Sequence, residues 1–521
     1  MSSESVIYHS DDLLCRLHID GAMEVTKSGP LYVFRILSGS QVCLMKLDAE
    51  VKNSENCWFW WPNQEGERGQ LSEIHKGLES LENKTRGLSI IYPVSASCRT
   101  IIMGDDKGGI ILSAMPDEKG RISQITVKSK NSERVEFLVK TGRSCWILTQ
   151  YQGGREEALK WMSKIIDKVK WPVLDIPEPS GRFLLQVGLI GPDYDCMVPV
   201  EKGFLVLEDI AAVMKKHLGK NNWLHVFGYA HGHDLLYPDY RPSGFLGGPE
   251  RLKDAIRAVH RKGQKVSFYL NLRIADKSLV ENDFELQNSV FLDSLGKQVE
   301  ERAHDRDFYV MNPDCESWQN RIVQEARRLV ELGADGLELN YRGQKALMVP
   351  LGEQWGDGIR KIITRIRDLG VKVWYRGGTD IYPADWLELS KEELLLDEEG
   401  EMFSGCVIGE FDPRLYMTLV PGRPYLLPLS RSEILKLDDT VIMKDLENIM
   451  GGLFIYNEEY MERIDMILQR AAEEQAAVEE AAVKEELATA RAVVDEIDSA
   501  AEKDESSDLS DENATIEPTE S

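Results

Sequence analysis

The sequence predicts a multidomain protein of β and α/β type. It begins with an N-terminal antiparallel β-sandwich, continues into a (β/α)8 barrel of the TIM type, and ends in a C-terminal helix and a disordered acidic tail. Three observations carry this reading. Short apolar runs separated by turn residues occupy roughly the first 150 positions, as in antiparallel sandwiches. Apolar runs then alternate with amphipathic helical stretches over about 270 residues, which favours a closed parallel sheet over an open one. The end of the chain is helical and strongly acidic. A chain of 521 residues is two to three times the usual domain size, so two folded domains with separate cores are expected.

The sandwich is assigned to residues 1–155. Its strands are legible as YVFRIL, QVCLMKL, TIIMG, GIILSAM, ISQITVK, VEFLVK and CWILTQY. In CWFWWP, strand alternation puts Trp58 and Trp60 on one face and Phe59 and Trp61 on the other. Large aromatics are mostly buried, so this run is read as core and inter-domain packing in preference to a sugar-stacking platform. The eight cysteines are scattered without a CxxC pair, which points to reduced, buried thiols and to no zinc site.

Residues 156–182 form a helix and linker: REEALKWMSKIIDKV has helical periodicity, and the Pro-rich WPVLDIPEPSG that follows marks a boundary. The barrel is assigned to residues 183–456. Taking WLHVFGYA as its first strand, the series continues with the helix PERLKDAIRAVHRKG, the strand KVSFYLNLRI, the helix ESWQNRIVQEARRLVELG, the strand GLELNY, the helix GIRKIITRIRDLG and the strand VKVWYRG. Residues 457–501 carry a 4-3-4-3 spacing at Val483, Leu487, Ala490, Val494 and Ile497, the pattern of a short coiled coil. This helix is expected either to be solvated or to join the chain to a second copy or a partner. Residues 502–521 are expected to be disordered.

The charge balance limits the functions open to the chain. There are 62 basic and 88 acidic residues, a formal charge of -26. From Ala471 to Ser521 there are 17 acidic and 3 basic residues, or -14, leaving -12 for the rest. Neither portion suits a nucleic-acid or anionic-membrane surface. No basic N-terminal region precedes an apolar run, and no stretch approaches the ~18 apolar residues of a membrane span. A cytoplasmic protein without membrane insertion is expected.

In a barrel of this kind the site is built at the C-terminal strand ends. The loop FGYAHGHDLLYPDYRPSGFLGG is too long for a connector. It brings His231, His233, Asp234, Asp239 and Tyr240 to the mouth. The HxH pair matches the first metal ligands of amidohydrolase barrels, but no histidine follows His304 to complete such a site, so no metal is expected. Alternation in KVSFYLNLRIAD turns Ser267, Tyr269, Asn271 and Arg273 toward the axis, and in GADGLELNY it turns Gly336, Glu338 and Asn340 inward ahead of Tyr341. In VKVWYRGGTD it turns Trp374 and Arg376 inward, with Asp380 in the loop beyond. Arg273 is suited either to a ligand carboxylate or hydroxyl cluster or to a structural acidic partner. Glu338 is read as a buried partner of Arg273 or Arg376.

The runs HDLLYPDYRPSGFLGGPERLKDAIRAVHRKGQKVSFYLNLRIAD and VMNPDCESWQNRIVQEARRLVELGADGLELN resemble the barrel of bacterial glycoside hydrolases related to endo-alpha-N-acetylgalactosaminidase. The shared features are a YPDY-type loop, a Gly-Gly turn into a helix, an H-x-x-G entry to a strand, an NP cap before a Trp-containing helix, and GADG before the next strand. They span about Trp223 to Gly378. The resemblance implies a sandwich ahead of the barrel and a retaining mechanism, which needs two carboxyl groups about 5 Å apart. It places the family's nucleophilic Asp at Asn340 and its acid/base Glu at Arg376. An amide cannot form the glycosyl ester, and a guanidinium does not deliver a proton near neutral pH.

Three readings follow. In the first, the barrel has lost hydrolysis and binds a carbohydrate or protein partner at its mouth, through His231, His233, Asp234, Tyr240, Tyr269, Arg273, Asn340, Tyr341, Trp374 and Arg376. In the second, it is an active glycosidase with relocated carboxylates, Asp380 paired with Asp234, Asp239 or Glu338. In the third, it is a scaffold that assembles through its C-terminal helix. None of the three needs a cofactor, and the first is favoured.

Overall fold

The computed structural model describes residues 3–168, 183–190, 201–340, 355–376, 386–388, 394–397, 402–404, 408–412, 414–419, 425–428 and 449–455, apart from short stretches within the first and third ranges. His233 and Asp234 fall in one such stretch, and Tyr341, Asp380, the linker after residue 168 and the whole C-terminal segment 456–521 lie outside the described residues. Arg376 and Glu388 are placed by their backbones.

Two eight-stranded antiparallel sheets form the N-terminal part. In the first, burial alternates strictly: Leu13, Cys15, Leu17 and Ile19 point into the core from one strand, and Cys43, Met45, Leu47, Ala49 and Val51 from its neighbour. Each fully buried side chain of this size contributes about 1.5–3 kcal/mol relative to exposure. In the second sheet Trp58–Trp61 obeys the expected alternation. Phe59 and Trp61 join the core against Phe137. Trp58 and Trp60 lie outside that cluster and pair edge to face. All four rings are buried, so the run offers no exposed stacking platform. The five described cysteines, Cys15, Cys43, Cys57, Cys145 and Cys315, are free thiols.

Residues far along the chain return to complete these sheets. Leu394–Asp397 and Met402–Ser404 extend the first sheet beyond Gly87–Tyr92, and Glu410–Phe411 pairs with Glu67–Gln70 at the edge of the second. The stretch assigned to the barrel thus also contributes strands to the sandwich. A buried carboxylate fastens this return. Glu67 accepts from Trp61 Nε1 at 2.7 Å, Asn63 Nδ2 at 2.6 Å and the Ile408 backbone at 2.6 Å. Burial still pushes its carboxyl above the usual range, because these donors and the Gly409 backbone do not fully offset the loss of water.

Eight parallel strands close into a barrel: Phe183–Gly188, Trp223–Phe227, Lys265–Asn271, Gly336–Asn340, Lys372–Arg376, Trp386–Glu388, Tyr425–Pro428 and Ile449–Ile455. Phe183–Gly188 precedes WLHVF and pairs with both it and the last strand, so Trp223–Phe227 is the second strand where the sequence reading took it as the first. The FLLQVG run lies between the Pro-rich linker and the next helix, which hid it from a count that relied on strand and helix alternation.

The GADG motif has a local physical role. The helix Glu316–Leu332 packs Trp318, Ile322, Ala326 and Leu329 inward at helical spacing and stops at Gly333, whose φ of 113° is left-handed. Two residues later Asp335 accepts from the Val266 backbone at 2.8 Å and lies 2.7 Å from His260 Nε2. It ties the starts of two adjacent strands to the helix before them. Below the site, Trp223 and Trp374 meet edge to face at 5.9 Å and cluster with Leu184. Gly336 makes room for them, since a Cβ there would lie 2.9 and 3.1 Å from the two indole rings. An antiparallel sheet of Ile274–Asp276, Glu300–Ala303 and Arg306–Val310 is inserted after the third barrel strand.

Candidate functional site: the C-terminal strand ends

Register alone assembles the row of interest. Asn271 pairs with Asn340, Asn340 with Arg376, and Arg376 with Glu388. These are the last residues of the third to sixth strands, at the end of the barrel where such folds build their sites. Glu388 was missed by the sequence reading. Its strand is only three residues long and has no helix-strand rhythm around it, so only the hydrogen-bond register brings it into the row.

Tyr269 joins two of the amides. Asn271 Nδ2 donates to its phenol oxygen at 3.2 Å and Asn340 Nδ2 donates to the same oxygen at 3.3 Å. The ring stacks on Phe227 at 4.7 Å, and the Tyr229 hydroxyl donates to the Tyr269 carbonyl at 2.9 Å. Asn271 is fixed from all sides. Its Oδ1 accepts from the backbones of Arg273 and Ile274, and its own N–H and C=O bond the Tyr240 hydroxyl at 2.6 and 3.0 Å. Tyr240 is therefore a buried brace for the third strand end. Asn340 is more accessible than its neighbours, and its amide is the group this network presents at the mouth.

One layer deeper the chemistry differs. Glu338 lies two residues below Asn340, about 7 Å along the strand. Its Oε2 is 2.7 Å from His225 Nε2, both residues being 1% exposed. His225 Nδ1 is 3.0 Å from Ser267 Oγ, and Trp374 and Phe227 flank the imidazole edge to face, each at 5.0 Å. The expected pairing of Glu338 with Arg273 is corrected here, while the Arg376 side chain lies outside what the structure describes. His225 occupies the facing position on the second strand, whereas Arg273 lies past the third strand and pairs with Glu301 of the inserted sheet. No periodicity in WLHVF marked His225 as the partner.

The long loop is ordered by its own contacts. Asp239 is clamped by Arg241, with Nε to Oδ1 at 2.8 Å and Nη2 to Oδ2 at 2.6 Å. Burial works to raise its carboxyl, but the Arg241 hydrogen bonds outweigh it and hold the group below the usual range. His231 is exposed and its backbone donates to the Arg241 carbonyl. Among the described residues no group of three or more His, Cys, Asp or Glu side chains could hold a metal ion, and no helix is long and apolar enough to cross a membrane.

No family model matches the chain. No curated protein matches it either. Solved structures do. The alpha-N-acetylgalactosaminidase NagBb from Bifidobacterium bifidum, in its GalNAc complex, superposes with a TM-score of 0.60 at 11% identity, covering 91% of this chain and 85% of that one. A GH31 family sulfoquinovosidase from E. rectale gives 0.53 at 10% identity over 91% and 76%. The alpha-galactosidase TtGalA from Thermus thermophilus, with stachyose, gives 0.50 at 11% over 88% and 97%. At these identities the likeness is one of fold: antiparallel sheets followed by a glycosidase-like parallel α/β barrel.

Proposed function

We propose that this is a glycoside-hydrolase-like barrel that binds a carbohydrate at its mouth without cleaving it, in the cytoplasm. The observation that carries the reading is the Asn340 amide, bonded to Tyr269 at the end of the fourth strand, where the resemblance places a nucleophilic carboxylate. Amides and phenols donate to and accept from sugar hydroxyls but form no glycosyl ester. The carboxylate beneath, Glu338, is buried against His225, and Asp239 is held by Arg241. Both arrangements favour binding over a relocated pair.

A second reading rests on Glu388, the one carboxylate residue in the rim row Asn271, Asn340, Arg376, Glu388. With Asp380 or Asp234 as its counterpart it would give an active glycosidase. Because the NagBb structure was obtained with GalNAc, GalNAc and its nitrophenyl α-glycoside are the probes of choice. Purified protein is expected to bind GalNAc saturably by calorimetry and to release no nitrophenol. Hydrolysis that is abolished by Glu388→Gln or Asp380→Asn would overturn the binding reading, and absence of saturable GalNAc binding would remove this ligand class.

A further inference from the structure

Apart from the rim row, the second sandwich sheet carries a corner rich in donors. Trp58 and Trp60 are covered there by two helices, Arg155–Lys168 and Arg414–Leu419. The Arg155 guanidinium sits over the Trp58 ring, 5.5 Å from its centroid, and that of Arg414 sits over Trp60 at 5.2 Å. Arg68, on the strand that pairs with Trp58–Trp61, completes a cluster of three arginines.

The negative charge in this corner is already committed. Asp412, buried, forms an ion pair with Arg68 Nε at 3.0 Å and accepts from Arg414 Nη2 at 2.7 Å. Glu156, exposed, is taken by Arg414 Nη1 at 2.7 Å. Asp106 acts on Arg155 only through space. Arg155, only partly buried, makes neither a hydrogen bond nor an ion pair with any described residue. Burial and the neighbouring Arg68 and Arg414 push its guanidinium down from the ordinary arginine range.

The buried neutral donors are unmatched too. Trp58 Nε1, Trp60 Nε1 and the Tyr151 hydroxyl have no hydrogen-bond partner among the described residues. Tyr151 lies 6.2 Å from Trp58, ring to ring. Gly104 and Gly109 leave space for its hydroxyl, which a Cβ would approach to 2.0 and 2.6 Å. An unmet buried donor costs about 1–3 kcal/mol. Two indole N–H groups, a phenol and a guanidinium in one corner therefore call for acceptors, not for a further cation.

We propose that this corner is a binding site for a small oxyanion, a phosphate, sulfate or carboxylate group, held by Arg155 and by the neutral donors of Trp58, Trp60 and Tyr151. A planar, permanently charged guanidinium matches such an anion with two parallel hydrogen bonds. The site stands between the sheet and the Arg414–Leu419 helix, so occupancy would also strengthen the attachment of the returning segment. It is independent of the glycan reading.

The test is calorimetric titration of the full chain with sodium phosphate, sodium sulfate and sodium acetate in turn, at constant ionic strength set by chloride. Saturable one-to-one binding of at least one anion is expected, and comparison of the three shows whether a phosphoryl, sulfuryl or carboxylate group is preferred. Arg155→Gln is expected to weaken it about tenfold or more, since a charge-assisted pair is lost. Trp58→Phe keeps the ring but removes one donor, and is expected to weaken binding several-fold even if Arg155→Gln fails to fold. No saturable binding of any of the three, or equal affinity in wild type and both variants, overturns the proposal.

Discussion

His225 Nε2 and Glu338 Oε2 lie 2.7 Å apart in the barrel interior, both buried, with Ser267 on the far side of the imidazole. The pair joins the second strand to the fourth over the intervening third, one layer below the Tyr269 and Asn340 side chains. Removing one member of such a buried pair strands the other without water, at a cost of about 3–5 kcal/mol. His225→Ala and Glu338→Ala are each expected to lower the unfolding free energy by an amount in that range, measured by urea denaturation. The double variant should lose clearly less than the sum of the two, and simple additivity would show that the two side chains do not act as a unit.

At the mouth, Asn340→Ala removes the amide that donates to Tyr269 and is expected to weaken GalNAc binding about tenfold, the worth of a good polar contact. Asn340→Asp should release no nitrophenol from the aryl glycoside, because its neighbour in register is Arg376 and no proton donor comes with the substitution. Turnover by Asn340→Asp would mean that a second carboxyl is already in place.

Deeper in the barrel, Gly336→Ala sets a methyl 2.9 and 3.1 Å from the Trp223 and Trp374 rings and 3.2 Å from the Lys372 carbonyl. Overpacking of this kind costs about 1–3 kcal/mol. Chemical denaturation is expected to show that loss with the m-value unchanged. A neutral effect would mean that the indoles shift freely.

The pH dependence of stability should carry a small contribution from His260. Its hydrogen bond to Asp335 raises its pKa above the ordinary histidine value of 6.5. A raised folded-state pKa gives stability that is fully present below the unfolded value and lost as pH rises through the folded one. Both side chains are around one-third exposed, so the amount is under about 1 kcal/mol. The stability difference between wild type and His260→Gln is expected to favour wild type near pH 5.5 and to shrink by about pH 8.5. A difference independent of pH would assign the contact a purely neutral role.

Much of this protein was determined by sequence alone. Period-two burial in Leu13–Asp20 and in Cys43–Val51, helical spacing in ESWQNRIVQEARRLVEL and the Gly333 stop are local consequences of side-chain alternation and backbone sterics, which a pattern records directly. The amide at Asn340 could be read in the same way, as the last inward residue of a short buried strand. The tertiary structure decided everything that depends on a partner distant in the chain. Glu338 meets His225 rather than Arg273 because barrel closure sets the second and fourth strands on either side of the third. Glu388 enters the rim row through register with Arg376, and the corner at Trp58 and Trp60 acquires Arg414 and Asp412 only because the chain returns to the sandwich. Local pattern fixes which way a side chain points, whereas what it meets depends on closure of long loops, and the sequence carries no periodic trace of that.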